Sequence, residues 1–328
     1  NTLHTLAAPA TIAYSGSMKP HVNLSGTFGL VFAASLGYLQ AQDSIRVRSQ
    51  NPSPMVENTR RHGRIMPAIY VGMHDTLASI LPRPVDVYLP TRHRDRQDLL
   101  LLLNFHSAPY VTHHAAESSG VALIGVTINL GGGSSAYNGP FTDSTAFPRL
   151  LAAIDSVVRA HGATARWNRI ALAGFSAGYG AVRRILSQEE NRGIVDAALL
   201  LDGIHASYVP ERLVLAEGGG IDSTNLETFL SFAHETAQPG SKKQFMITHS
   251  EVFPVTFVST TEATDWLIAQ LGLKRTPVLR WGPLGMQQVS EVRAGHFSIL
   301  GFAGNSGVDH GDHLHGVGEF LKELLGLK

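Results

Sequence analysis

The chain has 328 residues, no cysteine, and equal numbers of basic (26) and acidic (26) side chains. A chain of this length can bury a large core, and α/β enzymes of this size often form one domain. The absence of net charge and of any long run of one sign argues against nucleic acid or an anionic membrane as a partner. The lack of cysteine excludes disulfides, thiolate metal sites and a cysteine nucleophile.

The N-terminal segment has the pattern of a secretory signal. After Met18, one early lysine is followed by an apolar run over residues 28–39 and then by small and polar residues. The run is too short to span a bilayer comfortably, so we expect no stable membrane insertion. We predict an upstream extension and signal over residues 1–41, a secreted or periplasmic location, and a single α/β domain over 42–328. A buried helix is the alternative interpretation of the apolar run.

Short apolar runs begin after a polar, proline-rich stretch at 49–67, which is typical of a loop. Two runs bounded by turn residues, Ala68–Val71 and Val85–Leu89, indicate antiparallel strands at a sheet edge. The continuous apolar runs Leu99–Phe105 and Val121–Leu130 are typical of strands that are covered on both faces. These runs predict a sheet whose centre is buried.

Helices and strands alternate through the rest of the chain. Apolar residues at helical spacing predict a helix over Arg149–Ala160. The later elements are predicted, in order, as a strand at 169–173, a helix at 178–188, strand 195–201, a helix near 225–235, strand 244–248, helix 261–271, a strand near 296–302 and a terminal helix near 315–326. This alternation predicts an α/β fold with a doubly wound, mostly parallel sheet and helices on both faces.

The segment GFSAGYG at 174–180 lies between a short β-like run and a helix that begins with small residues. Gly-x-Ser-x-Gly in this context is typical of a nucleophile elbow, a strained strand-to-helix turn that exposes the serine hydroxyl. Gly174 and Gly178 suit such a turn because strand and helix pack tightly around it. The five-residue pattern alone also fits an ordinary glycine-rich bend, so a role for Ser176 depends on partners elsewhere in the chain.

The elbow and the element order resemble the α/β-hydrolase superfamily of serine hydrolases over roughly residues 80–328. Two further segments carry the resemblance: the His106-Ser107 pair after a buried strand, and the histidine-rich segment before the last helix, in GVDHGDHLHGVGEFLKELL. The resemblance implies an α/β-hydrolase fold, no metal, no organic cofactor and an oxyanion hole of backbone N–H groups. It makes Ala177 one donor and Ser107 or Ala108 the other. Many members have glycine where Ser107 stands, which leaves that second donor open.

The resemblance also implies an acid and a histidine that follow the serine in chain order. Asp202 is preferred as the acid because it comes directly after a strand, and active groups lie at the carboxyl ends of parallel strands. Glu251, after the next strand, is the alternate. The C-terminal segment resembles that of esterase-D-like carboxylesterases, and its spacing favours His313 as the base, with His310 as the alternate. His315 is expected to be structural.

Two other interpretations of these segments are weaker. His310, Asp312, His313 and His315 could form a metal site, but such motifs need further ligands from other strands. The run Gly131–Ser135 could bind phosphate, but no lysine follows it and no helix is predicted to open directly after it. A flexible loop near the mouth of a pocket is favoured there.

The residues and the resemblance together predict a serine hydrolase that cleaves a carboxylic ester through an acyl-enzyme on Ser176, with Asp202 and His313 completing the triad. The substrate is expected to be a small-molecule or polymeric ester. A peptidase or acyltransferase on the same triad, or a hydrolase-fold protein that only binds, remains an alternative because the motif fixes neither the leaving group nor the acceptor. No oligomeric state is predicted.

Overall fold

A computed structural model describes residues 64–327 of the chain. The predicted extension and signal at 1–41, and most of the polar stretch at 49–67, lie outside the described residues. Within 64–327, no helix is both long enough and apolar enough to cross a membrane.

Twelve strands are present in the described part of the chain. They are β1 Gly72–Leu77, β2 Val85–Pro90, β3 Leu99–Phe105, β4 Leu123–Ile128, β5 Trp167–Phe175, β6 Ala197–Leu201, β7 Ser207–Val209, β8 Gly220–Asp222, β9 Gln244–His249, β10 Thr276–Trp281, β11 Gln287–Ala294 and β12 Phe297–Phe302. Ten of them form one sheet in the order β1-β2-β4-β3-β5-β6-β9-β12-β11-β10, and β7 pairs with β8 separately. The six central strands are parallel, and antiparallel pairs complete both edges.

The same region contains nine α-helices. They are α1 Pro109–Ser118, α2 Ser134–Asn138, α3 Ala146–Ala160, α4 Tyr179–Leu186, α5 Glu189–Ile194, α6 Glu227–Ala237, α7 Thr260–Gln270, α8 Gly307–His315 and α9 Val317–Leu324.

Helices cover both faces of the large sheet, as the central strand β3 demonstrates. Its side chains alternate between two hydrophobic clusters because successive residues of a strand point to opposite faces. Leu101 and Leu103 lie in a cluster with residues of α3, α4, α6 and α7. Leu100 and Leu102 lie in the other cluster, with residues of α1 and α9. The prediction of a doubly wound, mostly parallel α/β sheet is therefore confirmed.

Several element boundaries differ from the predictions. The edge strand predicted at 68–71 begins at Gly72 instead, because its register is set by pairing with β2, where Leu77 faces Val85. The predicted terminal helix is preceded by a separate helix, α8, which ends at His315; Gly316 lies between it and α9. Strands β10 and β11 were not predicted. Their side chains are largely exposed or half-buried, so the sequence there lacks a continuous apolar run.

Candidate active site

Ser176 lies on a strained turn between β5 and α4. Its backbone has φ 45°, a left-handed conformation that side-chain-bearing residues rarely adopt, and a single 3₁₀ turn leads from it into the helix. A Cβ atom at Gly178 would lie 2.5 Å from the carbonyl oxygen of Phe105, and one at Gly174 would lie 3.0 Å from the Gly178 backbone. Glycine is therefore needed at both positions, and the turn has the geometry of a nucleophile elbow.

Three neighbouring strand ends share this strained geometry. His106, Ser176 and Asp202 directly follow the adjacent parallel strands β3, β5 and β6, and their φ angles are 63°, 45° and 45°. The carboxyl ends of parallel strands meet at one edge of a sheet, so the three residues lie together. A Cβ atom at Gly203 would lie 2.5 Å from both the nitrogen and the oxygen of Ser176. The segment that carries Asp202 thus packs directly against the elbow.

The carboxylate of Asp202 is buried and accepts three hydrogen bonds. His310 Nδ1 donates to Oδ2 at 2.8 Å, the backbone N–H of Ser250 donates to Oδ1 at 3.1 Å, and the Ser250 hydroxyl also donates to Oδ2. Burial alone would raise the pKa of Asp202, but the His310 hydrogen bond, the nearby imidazoles and the Ser250 hydroxyl hold that pKa well below its ordinary value. Asp202 is therefore ionised at neutral pH.

The contact with Asp202 fixes the tautomer of His310. Because a carboxylate only accepts hydrogen bonds, Nδ1 carries the proton and Nε2 of the neutral ring is left with a lone pair. Ser176, Asp202 and His310 line one cavity of about 140 Å³. The ring of Phe175 packs 4.6 Å from that of His310, centre to centre. The described structure thus brings together the predicted nucleophile, the preferred acid and the alternate histidine.

His313, the base favoured by the sequence, lies on a different side of α8. Its Nδ1 is hydrogen-bonded to Thr248 Oγ1 at 2.7 Å, its ring stacks on Phe320, and it is 1% exposed. Burial lowers its pKa to about 4. Because residues three apart on a helix point about 60° apart, His310 reaches the strand ends while His313 enters the core. The structure therefore pairs Asp202 with His310, whereas the hydrogen-bond partner of His313 is Thr248.

The other acid and histidine candidates have separate contacts. Glu251 is exposed, and its side chain accepts a hydrogen bond from the backbone N–H of Gly304 at 3.2 Å. His315 Nδ1 accepts from the backbone N–H of Ile65 at 3.1 Å. Asp312, one of the residues that the sequence offered as a metal site, has its Oδ1 3.6 Å from Arg64 Nε. Among residues 64–327, no group of three or more histidine, aspartate or glutamate side chains is placed to hold a metal ion.

The segment predicted to supply the second oxyanion donor is held firmly. Ser107 is 2% exposed; its hydroxyl accepts a hydrogen bond from Asn104 Nδ2 at 3.1 Å, and its carbonyl accepts one from Asn129 Nδ2 at 3.1 Å. Ala108, the other candidate, is the N-cap residue of α1. Ala177, directly after Ser176, lines a cavity of about 480 Å³ beside the elbow.

A buried phenol also fixes this region. The Tyr137 hydroxyl is hydrogen-bonded to His106 Nδ1 at 2.7 Å, accepts from the backbone N–H of Leu130 at 3.1 Å and donates to the carbonyl of Gly131 at 3.0 Å. Tyr137 therefore joins the segment after β3 to the segment after β4. It lies on α2, which opens at Ser134 directly after the glycine run, so the loop predicted there is shorter than expected.

Sequence reasoning did not identify Ser250 or Tyr137 as site residues. Ser250 stands directly after β9, one residue before Glu251, so its place at a strand end was a usable signal. Tyr137 gave no such signal, because its partners are 6 to 31 residues away and are brought near only by the fold.

Comparisons with known proteins give matches to solved structures only; no protein-family model matches the chain, and no curated protein does. An S-formylglutathione hydrolase from Agrobacterium tumefaciens has a TM-score of 0.45 and 13% identity, over 85% of this chain and 99% of that chain. A truncated carbohydrate esterase from gut microbiota has a TM-score of 0.46 and 12% identity, over 79% and 98%. A cold-adapted esterase from an Arctic intertidal metagenomic library has a TM-score of 0.41 and 13% identity, over 77% and 92%.

The sheet order and the position of the elbow define the class. In eight successive strands of the sheet, β1-β2-β4-β3-β5-β6-β9-β12, only β2 runs antiparallel to its neighbours, and the elbow follows the fifth strand in the chain. This is the arrangement of the α/β-hydrolase fold.

Proposed function

We propose that the protein is a serine hydrolase that cleaves a carboxylic ester through an acyl-enzyme on Ser176, with His310 as general base and Asp202 as its partner. One observation carries the proposal: a buried carboxylate accepts the Nδ1 proton of His310 in a cavity that Ser176 also lines. That arrangement leaves the other ring nitrogen free to take a proton from a hydroxyl at the elbow.

The reaction follows from these contacts. Ser176 Oγ attacks the ester carbonyl carbon while its proton passes to His310 Nε2, and ionised Asp202 stabilises the imidazolium that forms. Collapse of the tetrahedral intermediate breaks the bond to the alcohol, whose oxygen takes the proton from His310. A water molecule then attacks the acyl-enzyme by the same sequence of steps, which releases the acid and restores Ser176.

The negative oxygen of the intermediate needs donors that are already in place. The N–H of Ala177 is the first candidate because it follows the nucleophile directly, and Ser107 or Ala108 is the second. The fixed positions of the Ser107 hydroxyl and carbonyl support a preorganised segment there. Removing one such donor typically costs about 3 kcal/mol of barrier.

A fluorophosphonate probe combined with ester turnover tests the proposal. Wild type should be labelled and should hydrolyse p-nitrophenyl esters, whereas Ser176→Ala should be unlabelled and lose roughly 10⁶-fold in kcat. Ser187→Ala is the matched control, because Ser187 is exposed at the end of α4 and its hydroxyl bonds only locally to the Arg184 carbonyl.

The same experiment separates the alternatives. An unlabelled and inactive wild type would favour a protein that only binds. An amide analogue cleaved faster than its ester would favour a peptidase, and an acyl group passed to an added alcohol in preference to water would favour an acyltransferase. Full activity in Ser176→Ala would remove the nucleophile from the proposal.

A further inference from the structure

Two cavities of unequal size meet at Ser176. The larger has a volume of about 480 Å³ and the smaller about 140 Å³. Ser176, His205 and Phe257 line both. An ester carbonyl placed at the hydroxyl of Ser176 would therefore have one space on each side, and the two spaces differ more than threefold in volume.

The catalytic groups divide between the two cavities. His310 and Asp202 line the smaller one, together with the apolar side chains of Val252 and Pro254. Ala177, whose N–H is the first oxyanion candidate, lines the larger one. His310, which accepts and later returns the proton, is thus on the side of the small cavity. Ala177, the first candidate oxyanion donor, is on the side of the large one.

This division fixes how an ester must lie. The leaving oxygen takes its proton from the imidazole, so it must lie within hydrogen-bond reach of His310. The alcohol attached to that oxygen then extends into the small cavity. The carbonyl oxygen points toward Ala177. The acyl chain, which is the remaining substituent of the tetrahedral carbon, then extends into the large cavity.

Three aromatic rings line the large cavity: Tyr179 lines that cavity alone, whereas His205 and Phe257 lie between it and the small cavity. The Tyr179 and His205 rings meet edge to face at 5.5 Å, and the His205 and Phe257 rings meet edge to face at 4.8 Å. His205 Nδ1 donates to the carbonyl of Val258 at 3.1 Å, and burial lowers its pKa, so the ring is neutral near pH 7. A wall of neutral rings suits another ring, since aromatic pairs gain contact energy beyond their buried area.

Resting on the function proposed above, we infer that the substrate is the ester of a short alcohol, such as methanol or ethanol, with a bulky acid that carries an aromatic ring. The small cavity beside His310 accepts the alcohol, and the large cavity beside Ala177 accepts the acid. Size selection is therefore tighter on the alcohol side than on the acyl side.

A pair of isomeric esters tests this orientation. Methyl phenylacetate places the ring on the acyl side, and benzyl acetate has the same atoms with the ring on the alcohol side. We expect kcat/KM for methyl phenylacetate to exceed that for benzyl acetate by at least about tenfold, because a pocket that is too small by even one methylene discriminates by this factor or more. Acid release is measured for both esters by chromatography.

A variant of the small cavity gives a second readout. Gly307 lines that cavity, and a Cβ atom there would meet no atom within 4 Å, so a larger side chain would enter free space. Gly307→Val should lower kcat/KM for propyl phenylacetate several-fold more than for methyl phenylacetate. Gly193→Val is the control, because Gly193 lies on α5 and has equally open space around its Cβ position. This variant should leave kcat/KM for both esters unchanged.

The outcomes distinguish this inference from the function on which it rests. Preference for benzyl acetate, equal rates on the two isomers, or a labelled enzyme that cleaves neither would overturn the inference and leave Ser176 as the nucleophile. Failure of both hydrolysis and fluorophosphonate labelling would overturn the proposed function itself.

Discussion

The hydroxyl of Ser250 offers a specific perturbation of the Asp202–His310 pair. Ser250 gives two donors to the Asp202 carboxylate, its backbone N–H at 3.1 Å and its hydroxyl. Ser250→Ala removes only the hydroxyl and leaves the backbone donor and the His310 contact in place. The residue is 1% exposed, so no bulk water replaces the lost donor freely.

The size of the effect follows from the charge on the acceptor. A hydrogen bond to a charged group contributes about 1.5–3 kcal/mol, and two donors to the same carboxylate remain, so we take the lower value. A cost of about 1.5 kcal/mol in the transition state lowers kcat roughly tenfold. Loss of the donor raises the pKa of Asp202 only toward its ordinary value, so the carboxylate stays ionised above about pH 5 and the loss in kcat should be the same across that range.

Steady-state hydrolysis of a p-nitrophenyl ester between about pH 5 and 9 measures the loss in kcat and whether that loss changes with pH. We expect a roughly tenfold lower kcat with a nearly unchanged KM, since Ser250 itself lines neither of the two cavities beside Ser176. Ser250→Thr retains a hydroxyl and should restore part of the loss, and Ser187→Ala should behave as wild type. Unchanged kcat in a normally folded Ser250→Ala would refute the positioning role of Ser250.

Three further outcomes are expected. Gly203→Ala should lose about 1–3 kcal/mol of unfolding free energy by chemical denaturation, and should also lose kcat, because its Cβ would displace the Ser176 backbone; a stable, fully active variant would contradict this close packing. Tyr137→Phe should lower kcat with little change in KM, because it frees the segment after β3, and an unchanged kcat would exclude that role. His313 has a folded pKa of about 4 and an unfolded value near 6.5, so the unfolded chain binds a proton first and stability falls as pH drops from about 6.5 to about 4. Between pH 7 and 5 this contribution amounts to about 2 kcal/mol; the loss of stability over that range should be smaller by that amount in His313→Asn, in which buried His249 still contributes, and should equal that of wild type in His234→Asn, an exposed control.

The centre of the fold could be predicted from the sequence because burial on both faces leaves a direct pattern. Strand β3 was predicted with its observed bounds, Leu99–Phe105, since all seven of its residues are buried. Edge strand β10 has no such pattern because most of its side chains face solvent. Its pairing with β11 is decided by contacts distant in sequence, which composition does not reveal.

The site was predictable only in part, for a related reason. Ser176 and Asp202 directly follow buried strands, so their placement at one sheet edge could be expected from the run of strands. The choice between His310 and His313 depends on the rotation of α8, which is set by how that helix packs. The capping box at Ser306 fixes where α8 begins but not which of its faces meets Asp202.

A matched pair of histidine variants tests most directly whether His310 activates Ser176. The measurement is kcat/KM for one p-nitrophenyl ester at pH 8, with folding checked by thermal melting, in His310→Asn and His313→Asn. The asparagine amide can occupy the place of Nδ1 in either variant but supplies no base. We predict a loss of at least about 10⁴-fold in His310→Asn and a loss within about tenfold in a folded His313→Asn. Substantial activity in His310→Asn, with activity abolished in a folded His313→Asn, would contradict the catalytic pair described above.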